Sequence, residues 1–156
     1  MSWRLSIDKL LTRVNLDARG IDIPSLLCPV CGECTESTSH LFFECSFVSQ
    51  VYNMIERWWD IHILETRCCQ QWLDWFLALR LNKGQKQFLE ATFLSLWWHV
   101  WCHRNACVFG KARPKNNLFF DKFVTQSFVG VNSRYKSKNL SWVGLLQNPS
   151  LLSSDM

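Results

Sequence analysis

Leu27 to Phe47 reads LCPVCGECTESTSHLFFECSF. It holds Cys28, Cys31, His40 and Cys45 at the spacing Cys-x2-Cys-x8-His-x4-Cys. Thiolate and imidazole are the donors Zn²⁺ prefers, and four of them in so short a stretch make a closed site of the Cys3His type. Two cysteines separated by two residues reach one ion only if the backbone turns tightly, and Gly32 supplies a residue that tolerates a left-handed conformation. Glu33 to Ser37 reads as a polar loop. Ser37 or Thr38 then caps a short helix that presents His40, and Cys45 follows beyond one further turn. With all four positions filled by protein, the ion is structural and not catalytic. Cys34, three residues past Cys31, is a rival ligand, but His40 closes the site at a better loop length.

Outward from this stretch the pattern is helical. On the N-terminal side, residues 6–20 read as one or two short helices, with Thr12 capping a second start and Gly20 at the stop. Residues 21–27 run extended, with Pro24 holding Ile23 out of the helical region. On the C-terminal side Ser46 caps a helix whose Phe47, Val51, Met54, Ile55 and Trp58 recur at helical spacing. Residues 62–69 read as a loop. A helix is expected over 70–81 with Trp72, Leu73, Phe76, Leu77 and Leu79 inward. Asn82 to Gly84 reads as a turn, and 85–109 as the longest helix, apolar on nearly all faces around its middle and therefore threaded through the core. Gly110 and Pro114 end it. A further helix over 116–131 uses Leu118, Phe119, Phe123, Val124 and Phe128. Residues 134–138 form a basic turn, and 140–146 a short closing helix. No alternating run supports a sheet. The expected fold is mostly α: a small helical domain organised round one structural Cys3His zinc knuckle.

Composition agrees with a folded domain, since apolar residues make up 48% and charged ones only 19%. Nine Trp and eleven Phe must be buried or must mark a contact surface. The N-terminal segment lacks the apolar run of a secretory signal, and the most apolar window is too short to span a bilayer. The expectation is an intracellular, non-secreted chain with no membrane partner, in which cysteines are metal ligands or buried thiols. Charge is uneven. Residues 1–103 carry nine Lys/Arg against eleven Asp/Glu, whereas 104–156 carry eight against two. A basic C-terminal third fits a polyanionic partner, RNA or DNA, through Lys111, Arg113, Lys115, Lys122, Arg134, Lys136 and Lys138. The alternative is a solvated basic face.

Several chemistries are missing from the sequence. There is no adjacent pair of Asp residues for two-metal polymerase chemistry, no GxxxxGK[ST] phosphate loop and no GxSxG elbow. No small-molecule substrate or enzyme activity is expected. His99, His103 and Cys107 stand four residues apart on one helix face. Such a row closes a metal tetrahedron only with help from His62, Cys68 or Cys69, so packing is the expected role.

The residues resemble a family. LLTRVNL at 10–16, RGI at 19–21, LCPVCGE at 27–33, Glu36-Ser37, His40 to Phe42 and Cys45 occur in order, followed by Trp101, Arg104-Asn105 and Phe109. Together they resemble the reverse-transcriptase zinc-binding domain of plant LINE-type (non-LTR) retrotransposons, which also occurs as stand-alone fragments. The resemblance covers about residues 5–110, and the tail more loosely. Leu11 departs from it, standing where the family commonly has Pro. It implies the same four zinc ligands, and ancestry in an RNA-directed DNA polymerase whose catalytic parts are not in this chain. The expected division is a zinc-binding-like domain at 1–110, with its knuckle at 27–47, and a basic helical extension at 111–156. Three roles remain open: weak binding of RNA or DNA, a platform that docks on a reverse transcriptase domain, or a decayed fragment with no present function. Arg104 and Asn105 are expected to bond neighbouring loops or carbonyls, with nucleic-acid contact as the rival.

Overall fold

Asn82 starts the element around which the others pack. Its side-chain oxygen accepts the Gln85 amide at 2.8 Å, and the Gln85 side chain accepts the Asn82 amide at 2.9 Å. This reciprocal pair satisfies two donors that a helix start would otherwise leave without partners. The long helix therefore begins at Lys83, and the turn expected over Asn82 to Gly84 is instead a cap and the first helical residues. The computed structural model describes residues 2–110, 118–134, 142–147 and 149. In chain order the helices are α1 (Ser2–Ser6), α2 (Arg13–Asp17), a π-helical turn (His40–Glu44), α3 (Ser46–Trp59), α4 (Cys69–Ala78), α5 (Lys83–Phe109), α6 (Phe119–Arg134) and α7 (Trp142–Gln147). No strand occurs among the described residues, where one antiparallel bridge joins Leu27 to Thr35. The mostly helical fold is as expected. No described helix is long and apolar enough to cross a membrane.

At 27 residues, α5 is about 40 Å long. Phe88, Leu89, Phe93, Leu96, Trp97 and Val100 are buried along it, so it runs through the core as its composition suggests. Trp98 and Cys102 face outward. The helix stops at Gly110, whose amide still reaches the Ala106 carbonyl. Helix α3 lies against it with Phe47, Val51, Ile55, Trp58 and Trp59 buried. Met54, expected inward, is exposed because it borders the cleft between α3 and α6. The cap of α3 is Cys45 and not Ser46; Ser46 is the first helical residue, and its hydroxyl donates to Glu33 at 3.3 Å.

Helix α4 buries Trp72, Trp75 and Phe76, and leaves Leu73 and Leu77 exposed. The face is rotated from the expected one: Trp72 and Phe76 are inward as expected, and Trp75 joins them in place of the two leucines. Trp72 meets Phe93 at 5.0 Å and Trp97 at 4.9 Å, and the Trp75 indole N–H donates to the His62 carbonyl at 3.0 Å. The helix ends at Ala78, short of the expected 81, where Leu79 turns extended and packs half-buried on the core. Helix α6 covers α5 through Phe119, Phe123 and Val124, and Trp142 of α7 meets Phe128 at 4.8 Å. Leu118, expected inward, is exposed and precedes the helix. Pro114 and most of the basic turn at 134–138 lie outside the described residues.

The N-terminal segment begins with a helix earlier than expected, at Ser2–Ser6, while the second starts where Thr12 was expected to cap it, its hydroxyl accepting the Asn15 amide at 3.4 Å. This segment is tied to α5 by one buried ion pair. Arg104 donates from Nε to Glu36 Oε1 at 2.6 Å and from Nη2 to Oε2 at 2.8 Å. Glu36 is 0% exposed and Arg104 4%. The Arg13 backbone amide adds a third donor to the carboxylate at 2.8 Å, and Arg104 also reaches the Leu11 carbonyl at 3.3 Å. Arg104 thus bonds neighbouring loops, as one of its two expected roles required.

Removing one member leaves the other as an uncompensated buried charge. Arg104→Met is expected to cost about 3–5 kcal/mol, whereas Arg104→Met with Glu36→Leu is expected to regain much of that, short of the Arg13 amide left without its acceptor. Urea unfolding of the wild type, both single variants and the double variant, all with zinc present, measures the coupling. A double variant no more stable than Arg104→Met would count against a simple charge-pairing role.

Candidate metal centre

The first two ligands come from the turn after the Leu27–Thr35 bridge. The Cys28 amide donates to the Cys34 carbonyl at 2.7 Å, and the Gly32 amide to the Cys28 carbonyl at 2.8 Å. Gly32 sits at φ +77°, the left-handed conformation this turn was expected to need. The Glu33 amide points at the Cys31 sulfur at 3.5 Å, which spreads the thiolate charge. The third ligand is placed by a cap: the Ser37 hydroxyl accepts the His40 amide at 3.0 Å.

The fourth follows through a π turn, closed by the Cys45 amide donating to the His40 carbonyl at 2.7 Å. An α-helix turns about 100° per residue, so residues five apart on it diverge by about 140°. The wider i→i+5 turn brings such residues back toward one side. His40 and Cys45 can therefore face one ion.

The ligand atoms of Cys28, Cys31, His40 and Cys45 all lie within 4.8 Å of one another. Tetrahedral bonds of about 2.3 Å to sulfur require edges of about 3.8 Å, so the donors fit Zn²⁺ with little movement. Cys31 Sγ and His40 Nε2 are 3.3 Å apart. Cys28, His40 and Cys45 are buried and Cys31 is half-buried. Cys34 is exposed and stands outside the set, so the rival ligand is not used. The hydrogen bond from the Cys45 thiol, opposed by burial and helped by the Cys31 and Val30 amides and by His40, brings Cys28 down to about 5. The same contact with Cys28, and then burial, pushes Cys45 up. A divalent cation replaces the thiol proton with a larger charge and relieves the repulsion among the sulfurs. A Cys3His set fills all four positions of one zinc, so the ion is structural.

Residues 1–52 match the family model for zinc-binding in reverse transcriptase. All four donors fall inside that match, as does Glu36, whereas its partner Arg104 lies beyond it. The match names metal binding and not catalysis. No curated protein and no solved structure matches the chain.

The other expected residues separate. His103 stacks on Phe47 at 4.7 Å with the rings 10° from parallel, and His99 Nδ1 bonds the Ser95 carbonyl at 2.8 Å. The Cys3His set is the metal-ligating group found among the described residues, and the His99, His103 and Cys107 row forms no such group with His62, Cys68 or Cys69 there. Burial, and then the neighbouring Cys68, raises the Cys69 thiol to about 11. Of the basic candidates, Lys122 is exposed on α6 and Arg134 is the last residue of that helix. Lys111, Arg113, Lys115, Lys136 and Lys138 lie outside the described residues. Two features escaped the sequence reading: the π turn, hinted at only by the His-x4-Cys spacing, and the carboxylate partner of Arg104, which carried no local signal.

Structural zinc sites contribute about 10–16 kcal/mol, as much as the whole net stability of about 5–15 kcal/mol typical of a domain. Native mass spectrometry is expected to find one zinc per chain, and Cys45→Ser to lose it. Chelation is expected to melt at least residues 21–60, read as a drop in helical circular dichroism and in Tm. Unchanged helicity and Tm after complete chelation would overturn the structural role.

Proposed function

We propose that the chain is a non-catalytic zinc-binding module derived from a reverse transcriptase of the plant LINE type, and that it holds RNA or DNA weakly through its basic C-terminal third. The observation that carries this reading is the closed Cys3His centre lying wholly inside the reverse-transcriptase zinc-binding match. A centre with four protein ligands offers no position for a reacting water. Its role is then to fix a scaffold. In this reading residues 1–110 are the zinc-organised body, and 111–156 are a basic extension whose α6 lies against α5. The extension supplies Lys111, Arg113, Lys115, Lys122, Arg134, Lys136 and Lys138 as phosphate contacts, while the acidic balance of 1–103 keeps the remainder off the backbone.

A second reading has support of its own. Trp98 and Phe109 are 51% and 78% exposed and lie eleven residues apart on α5, which puts them on one face of the helix. Large exposed aromatic groups suit docking on a polymerase domain.

If about five of the basic residues contact phosphates, the log–log slope of affinity against salt is expected near −3.5 to −4.5, and each Lys→Ala change is expected to reduce it by about one. Fluorescence anisotropy with labelled single-stranded RNA and duplex DNA at several salt concentrations reads the slope. Binding that ignored salt, or none at low salt, would remove the nucleic-acid reading. Capture of a polymerase domain that Trp98→Ser abolished would favour the second.

A further inference from the structure

Glu36 is not a metal ligand, yet it stands between the two halves of the centre, five residues after Cys31 and four before His40. Its neighbours do the placing. Thr35 pairs with Leu27, next to Cys28, and Ser37 caps the turn that carries His40. Glu36 itself is held on every side. Its amide donates to the Leu26 carbonyl at 2.8 Å, and its carbonyl accepts the Val14 amide at 3.2 Å. Its carboxylate takes the Arg13 amide and the two-pronged Arg104 guanidinium. Arg104 is fixed in turn by α5, with its guanidinium 5.1 Å from the centre of the Trp101 ring. A shift of Glu36 would therefore move the bridge partner of the knuckle and the cap of His40 together.

We propose that the Glu36–Arg104 pair is the positioning device of the zinc centre. A residue outside the family match, on the long helix, sets the affinity of ligands inside it. The proposal rests on zinc occupying the Cys3His set and adds what tunes that site. Groups that orient metal ligands from outside the coordination shell typically govern affinity by about 10–100-fold, and this pair acts on the ligands through the flanking Thr35 and Ser37. The coupling is reciprocal: whatever factor Arg104 adds to zinc binding, zinc adds to the docking of the Arg104 end of α5. Zinc thereby orders helix α5 at its far end, from which the basic segment continues.

The test is zinc affinity, measured by competition with a chromogenic chelator. The proteins are the wild type, Glu36→Gln, Arg104→Met and Arg104→Lys, with Leu89→Ala as a buried control remote from the pair. Glu36→Gln and Arg104→Met are expected to weaken zinc at least tenfold, and Arg104→Lys, which keeps the charge but loses the fork, by less. Leu89→Ala is expected to lower Tm and leave zinc affinity within twofold. Hydrogen exchange supplies the reciprocal readout: zinc slows exchange at residues 99–109 in the wild type, and that gain disappears in Arg104→Met. Zinc affinity unchanged in Glu36→Gln and Arg104→Met, or weakened equally in Leu89→Ala, would overturn the positioning role while leaving the zinc reading intact. A wild-type chain that held no zinc would overturn both.

Discussion

A carboxylate with no access to water is tolerated only where other groups replace its hydration, and Glu36 shows how completely that can be done. Three donors converge on its two oxygens, two of them from a guanidinium whose planar fork matches the carboxylate. The pair spans 68 residues of sequence, so it forms only when the first third of the chain has met the end of α5. Apolar packing tolerates small slips, because dispersion has no direction. A two-pronged ionic contact in a dry interior does not, since a half-made pair is worse than none. The N-terminal third, which has only short helices of its own, takes its register against the body from this contact.

The body is held differently. Its interior is aromatic to an unusual degree: Trp59 lies against Phe88 at 5.4 Å, Trp58 meets Phe88 and Phe120 at 6.0 Å, and Tyr52 joins Phe42 and Trp97 by hydrogen bonds. This is where most of the tryptophan goes, with Trp58, Trp59, Trp72, Trp75 and Trp97 all buried. Such bulky groups exclude much water per residue but carry polar atoms with them. The indole N–H groups of Trp59 and Trp72 find no acceptor among the described residues. Leaving a buried donor unmade costs about 1–3 kcal/mol. Each indole's apolar area, of the order of 150–250 Å², more than offsets that.

The zinc ligands were legible in the sequence because coordination chemistry is local: donor type and spacing alone restrict which residues can share an ion. Helix positions were legible where period and caps agreed, as at Thr12 and through the middle of α5. The misreadings have a common cause. At α4 the pattern offered leucines and indoles on overlapping arcs, and the winning face was decided by Phe93 and Trp97 on another helix. At Asn82 the residues of a turn and of a capping box are the same, and the outcome depended on whether Gln85 folded back. Glu36 was the least legible of all, because an acid in a polar loop that also holds Glu33 has the composition of a solvated residue. Only its partner far along the chain makes it an interior one.

The turn between His40 and Cys45 carries a consequence for how this stretch can vary. A π turn differs from an α turn by one residue per ring, so what it stores is chain length and not side-chain identity. Leu41, Phe42, Phe43 and Glu44 can be exchanged for residues of similar bulk without moving either ligand. Deleting any one of them would contract the ring to an ordinary α turn, swing Cys45 by about 100° and shift the start of α3 with it. Divergent copies of this module should therefore keep the count of residues here while exchanging them for others of similar bulk.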